Sequence, residues 1–316
     1  MNLKKISLIF IIIIFALSLS YAKVEFDFSY GISRPSLGDY KYLYSGQNDE
    51  LDNLKSQGFS AVKDFNFTSP ENFKNFGGEI KFSISNSIWL GIEYSNISLN
   101  HTLRGDWEYS KTEDSITDKV SGNIEKFATN YKTNIIGLNL YWKFNISSFL
   151  EIEAGVGASY LMLTDENNYS AVLTENISYG SEYANTDTKI TQSGEIKVNT
   201  FGGKAGLRLN IKLLKKAGIF AGAFYTYYSP KNLNGYFRYT ASSTFSSSFD
   251  DSEYTNNITY NGDGDYHIIT KKGNGSDLTY IRPEVKPSPP GTETDNGAAK
   301  SDFSGIKVLV GVFFRF

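Results

Sequence analysis

The sequence predicts an all-β protein, an antiparallel transmembrane β-barrel with eight strands favoured, ten possible, and long extracellular loops. Three observations carry that prediction. The chain opens with an export leader, its apolar residues recur at every second position in segments of about ten residues, and the connections between those segments alternate between short and long.

Lys4 and Lys5 precede an apolar run, Leu8 to Leu19, which ends in the small-x-small cleavage pattern Ser20-Tyr21-Ala22. The run is too short to cross a bilayer as a helix, so residues 1–22 read as a secretory signal peptide and residues 23–316 as the barrel domain. No later stretch is long and apolar enough for a transmembrane helix, which leaves a soluble exported protein or a barrel. The absence of Cys excludes disulfides, thiolate metal sites and a cysteine nucleophile, and a formal charge of -3 gives no electrostatic case for nucleic acid.

Eight segments follow. Val24, Phe26, Phe28, Tyr30 and Ile32 alternate with Glu25, Asp27, Ser29 and Gly31, a period-two strand. Phe76, Ile80, Phe82 and Ile84 oppose Asn75, Glu79, Lys81 and Ser83, and Ile88, Leu90, Ile92 and Tyr94 oppose Gly91 and Glu93. Ile136 to Phe144 sets Leu138, Leu140 and Trp142 against Asn139 and Lys143, and Leu150 to Tyr160 sets Ile152, Ala154 and Val156 against Glu151 and Glu153. Phe201 to Leu209 opposes Lys204 and Arg208; Gly218 to Tyr228 is apolar on both faces, which leaves its register open; Ile306 to Phe316 opposes Lys307, Gly311 and Arg315.

Short connections lie near 85–87, 145–148 and 212–216, and long ones span 34–72, 100–130, 164–194 and 229–301. Tight periplasmic turns and long external loops segregate in this way in an outer-membrane barrel, whereas a soluble sandwich has no reason to separate them. Aromatic positions agree: Phe26, Trp142, Phe144, Phe314 and Phe316 fall at the periplasmic end of the outward face, and Tyr30, Tyr94, Tyr160, Tyr225 and Tyr227 toward the outer end, as two interfacial girdles would require. Within the last long loop, Ile258 to Tyr260 and Asp265 to Thr270 flank Asn261-Gly262-Asp263-Gly264, which reads as a hairpin turn, and 282–291 is proline-rich and reads as extended.

On the signal peptide, the alternating strands and the terminal strand Val308 to Phe316, the chain resembles bacterial outer-membrane β-barrel proteins of the small OmpA/OmpX-like, eight-stranded class. The resemblance is to a class of architecture, and no motif selects one family within it. It implies location in the bacterial outer membrane, lipid and the barrel-assembly machinery as partners, and an assembly signal in the terminal strand at Phe314 and Phe316.

The inward positions carry six acids, Glu25, Asp27, Glu79, Glu93, Glu151 and Glu153, and six bases, Lys81, Lys143, Lys204, Arg208, Lys307 and Arg315. An eight-stranded lumen is only wide enough for side chains to fill, so these charges are expected to pair into a plug, with Arg315 beside Glu25 and Asp27 at the closing seam. A narrow passive pore is the alternative. A rim enzyme is the third: barrel proteases and lipid-modifying acyl enzymes of similar architecture use Asp/His or His with Ser, and Asp265-Tyr266-His267 could orient an imidazole. One Asp-x-His with no nucleophile is outweighed by solvated loop histidines at His101 and His267, so the chain reads as no enzyme. Asn261, Asp263 and Asp265 have calcium-loop spacing, but Tyr266 stands at the glycine position and Lys272 at the bidentate acid, so no metal site and no cofactor is expected. The long loops hold over half of the mature chain, with Tyr and Asn among Ser and Gly as in Asn167 to Tyr183, and they point to structural, adhesion or recognition roles toward an extracellular ligand or host surface by a monomer.

Overall fold

The computed structural model describes residues 23–271, 278–283 and 293–316. The predicted signal peptide, Lys272 and most of the proline-rich stretch lie outside these residues. The described elements are β1 Val24–Pro35, α1 Tyr42–Ser56, β2 Ser60–Lys63, β3 Phe73–Ser83, β4 Ile88–Glu113, β5 Ile116–Asn145, β6 Leu150–Tyr179, β7 Glu182–Leu214, β8 Ala217–Tyr228, β9 Lys231–Asn232, β10 Asn234–Ser247, β11 Ser252–Lys271, β12 Leu278–Pro283, β13 Glu293–Ala298, β14 Lys300–Ser301 and β15 Gly305–Arg315.

Eight antiparallel strands, β1, β3, β4, β5, β6, β7, β8 and β15, form a ring that closes where β1 pairs with β15. The ring has eight members rather than ten, because β10 and β11 join β7 above the wall instead of entering it. One row of paired residues runs from Phe201 through Tyr160, Ile136, Tyr94, Gly78, Phe28, Val312 and Ile219, and returns to β7 at Ile211, ten residues down the strand from where it began. A stagger of ten over eight strands corresponds to a tilt of about 40° and a lumen that side chains fill. At the turn end, the hydroxyls of Ser85 and Ser147 accept the N–H groups of Ile88 and Leu150, which fixes two tight reversals.

The apolar half of each alternation faces outward. Phe28, Ile32, Ile80, Ile92, Leu138, Val156, Leu207, Val310 and Val312 are all exposed around the waist of the wall. In water such a contiguous surface would be a liability, and in hydrocarbon it is the requirement. In β8 the open register resolves with Ile219, Tyr225 and Tyr227 outward and Phe220, Phe224 and Tyr228 inward.

Most of what reads in the sequence as external loop is strand. β4 to β7 are 26 to 33 residues long, so they continue from the wall through 100–130 and 164–194 into a crown completed by β2, β10 and β11. The segment 34–72 holds α1, which is stopped by Gly58 just past its C-cap, at φ 88°, and presses Leu51 against the inner face of the crown beside Trp107, Tyr109 and Ile124. The predicted turn 261–264 is also strand: Asn261 and Gly262 pair with Arg238 and Phe237, and the chain reverses at 248–251 instead. Turn-forming residues there yield to the continuous ladder with β10, as local propensity does when tertiary partners exist.

Candidate functional site

The structure places all twelve predicted lumen charges inside the ring, in two layers. The lower layer contains Glu25, Asp27, Glu151, Glu153, Lys81, Lys143, Arg208 and Arg315. Lys81 Nζ lies 2.7 Å from Glu153 and 2.9 Å from Asp27, and Lys143 Nζ lies 2.8 Å from both Glu25 and Glu153. Arg208 pairs with Asp27 and Glu153, and Arg315 bridges Glu25 and Glu151 across the seam. The seam expectation therefore needs one correction: Arg315 takes Glu25 and Glu151, while Asp27 belongs to Lys81 and Arg208. The reason is the register, which sets Glu25 directly opposite Arg315 and Asp27 two residues further up, opposite Phe313.

The upper layer is smaller. Glu93 takes Lys204 and, at 2.8 Å, Lys307, while Glu79 accepts hydrogen bonds from Asn139 and Tyr141. Each layer mixes signs at close range, which is the condition under which charges persist away from water.

Sequence reasoning missed the aromatic half of the lumen. Trp89, Tyr141, Phe220, Phe224, Leu309 and Phe313 form a buried cluster among the charges. Lys143 Nζ sits 3.8 Å above the Trp89 ring, Lys81 Nζ 4.2 Å from that of Tyr141, and the Arg208 guanidinium 3.5 Å above Phe220. The signal was present, since Trp89, Tyr141 and Phe313 share parity with Glu93, Lys143 and Arg315. Inward glycines make the room: a Cβ at Gly155 would stand 2.5 Å from the Tyr141 ring, and one at Gly311 2.5 Å from Phe220.

Above the charges an apolar cap closes the outer mouth. Leu37, Leu233, Ala299 and Phe303 from the connecting segments pack against Tyr131, Ile135, Leu161 and Leu163 of the wall. Backbone hydrogen bonds tie Leu233, Tyr266 and Ala299 into one knot at its centre. Between cap and charges remains a cavity of about 30 Å³ bordered by Glu93, Lys204, Lys307, Tyr131 and Phe303, space on the scale of a water molecule.

The remaining candidates are placed elsewhere. His267 does not meet Asp265; its Nδ1 lies 2.8 Å from Asp295, while Asp265 accepts from Asn232 and Asn234. Alternation along β11 puts residues 265 and 267 on one face but a full repeat apart, and the β13 ladder, which bulges between His267 and Ile269, sets Asp295 opposite Ile269 and within reach of the imidazole. Both histidines lie in strands rather than loops, and His101 Nε2 is 3.0 Å from the Thr68 carbonyl. Phe314 is exposed on the outward face, and Phe316 packs edge-on against Phe26 and exchanges backbone hydrogen bonds with Val24.

No family model matches the chain, and no curated protein sequence does either. Among solved structures it is similar to a major outer membrane protein from Thermus thermophilus, at 7% identity and TM-score 0.35 over 94% of this chain and 100% of that one. It is also similar to the outer membrane protein OprG from Pseudomonas aeruginosa, at 9% identity and TM-score 0.36 over 93% and 96%, and to the outer membrane protease OmpT from Escherichia coli, at 9% and 0.34 over 93% and 97%. The chain's own geometry, a closed ring with an apolar exterior and a filled polar interior, is that of an outer-membrane β-barrel.

Proposed function

We propose that this barrel is a non-enzymatic, monomeric anchor that carries a rigid recognition crown above the outer membrane. The observation that carries the reading is the alignment of three hairpin tips, 113–116, 179–182 and 247–252, which together expose Ile116, Tyr179, Tyr183 and Phe249. Exposed aromatics on a scaffold with its own core are suited to contact with an extracellular ligand or host surface. The test is binding of detergent-folded protein to arrayed host glycans and matrix proteins. We expect a ligand that is lost in the triple variant Tyr179→Ala, Tyr183→Ala, Phe249→Ala; no ligand, or equal binding by the variant, would remove the reading.

The filled lumen supports a plug over a pore, and single-channel conductance in planar bilayers would reverse that preference. Terminal Phe314 and Phe316 are read as the signal for the barrel-assembly machinery, so deletion of Phe316 should lower the amount inserted in the outer membrane. The signal peptide 1–22 and the barrel domain 23–316 complete the proposal, with cleavage after Ala22 checked by the mass of the mature chain.

A further inference from the structure

The lipid-facing wall carries a cleft of about 770 Å³ at its outer end, over the seam between β1 and β15. Its lower part is apolar, formed by Ile32, Ile306, Val308 and Tyr225, each about half exposed. Its upper part is polar. Arg34 follows Tyr30 and Ile32 on the outward stripe of β1, lies opposite Ile306, and donates through Nε to Asn72 Oδ1 at 2.7 Å. That bond holds the fork at its root and leaves the terminal nitrogens for another acceptor.

Lys74 stands diagonally beside it. It precedes Phe76 on the outward stripe of β3 and pairs with Ile32, and Phe76 in turn pairs with Tyr30. Lys74 therefore sits one step and Arg34 two steps above an outward aromatic pair, at the level where hydrocarbon gives way to headgroups. Asp302 also lines the cleft, with its Oδ1 taken by the Ser304 N–H at 2.9 Å. Among the described residues no carboxylate forms an ion pair with Arg34 or Lys74.

An apolar slot topped by a guanidinium, with an ammonium on the next strand beside its rim, suits an anionic amphiphile. We propose that Arg34 and Lys74, with Asn72 as the positioning residue, bind the phosphate of an outer-leaflet lipid whose acyl chain lies along Ile32, Ile306 and Val308. Arg offers paired N–H groups that match a phosphate, and Lys adds a point charge. A free phosphate would engage the cations alone. The apolar lower wall argues for the lipid.

Native mass spectrometry of the folded barrel in micelles with bisphosphorylated lipid A tests this. The double variant Arg34→Ala, Lys74→Ala should retain roughly thirtyfold less lipid, because each interfacial cation is worth about fivefold. Arg34→Lys should fall between, and Lys189→Ala in the crown should match the parent protein. Dephosphorylated lipid A should bind the parent as weakly as the double variant binds the phosphorylated form. Equal retention by parent and double variant, or equal binding of the dephosphorylated lipid, would overturn the site. Displacement by millimolar inorganic phosphate would overturn the lipid assignment in favour of a free-anion site. Unchanged heat-dependent gel migration of each variant shows that the wall is intact.

Discussion

Lys81 and Glu153 stand on β3 and β6, strands that are not paired in the ring, yet their charged ends meet 2.7 Å apart at the centre of the lumen with neither side chain reached by solvent. The same ammonium touches Asp27 at 2.9 Å. One lysine thus ties the first, third and sixth strands of the chain through the middle of the ring.

Replacing Lys81 by Met should therefore leave two buried carboxylates short of a partner. The expected cost is about 3–5 kcal/mol, read as a shift in the urea midpoint of the barrel refolded in liposomes. Adding Glu153→Gln to the same variant should recover part of that loss, whereas a purely additive double variant would show that the two groups act independently.

Gly155 lies flat beneath the Tyr141 ring, with no room for a methyl group. Gly155→Ala should destabilise the wall by about 1–3 kcal/mol, the range for overpacking. Trimming the ring with Tyr141→Leu should cost less in the Gly155→Ala chain than in the parent, where it only removes the Glu79 hydrogen bond, and the two differences in urea midpoint decide it.

The crown has its own core, so it should loosen apart from the wall. Leu51→Ala removes the helix side chain buried against Trp107 and Tyr109, at a local cost of about 2–5 kcal/mol. Proteolysis of α1 and amide exchange in the upper half of β4 should accelerate, while gel migration of the folded barrel stays unchanged. Joint loss of both would show a single cooperative unit.

Asp165, in the crown base beyond the lipid-facing span, is pushed up from 3.8 to about 7 by burial, partly offset by its Asn167 hydrogen bond. A raised folded value means the native state holds a proton that the unfolded chain releases. Stability is then fully present below pH 3.8, falls as pH rises between the two values, and is lowest above 7. Asp165→Asn should remove that slope and stabilise the crown at pH 8 by up to about 4 kcal/mol, with no gain at pH 3. Urea unfolding followed by Trp107 fluorescence, with Trp89 and Trp142 changed to Phe, measures it. An equal gain at both pH values would exclude the carboxylate as its source.

The wall was legible because lipid enforces the alternation residue by residue: Val24 to Ile32 and Ile306 to Phe316 display it without interruption. The crown was not, because its outer face meets water and tolerates Ser, Thr and Asn at any parity. Asn261-Gly262-Asp263-Gly264 looks like a turn until Arg238 and Phe237 are seen beside it. The lumen divides the same way. Parity exposed its twelve charges, but which acid meets which base depends on a stagger of ten around the ring, and no local pattern encodes that number.

β6 passes without a break from Leu150 at the turn end to Tyr179 at the tip, 30 residues or about 100 Å of strand at roughly 3.3 Å per residue. Its ladder with β7 keeps one register over that whole length, and its ladder with β5 slips only at Glu125. Traction on Tyr179 is therefore borne lengthwise by many parallel bonds at once rather than peeled one by one, and the load passes straight to the embedded cylinder with no hinge to absorb it.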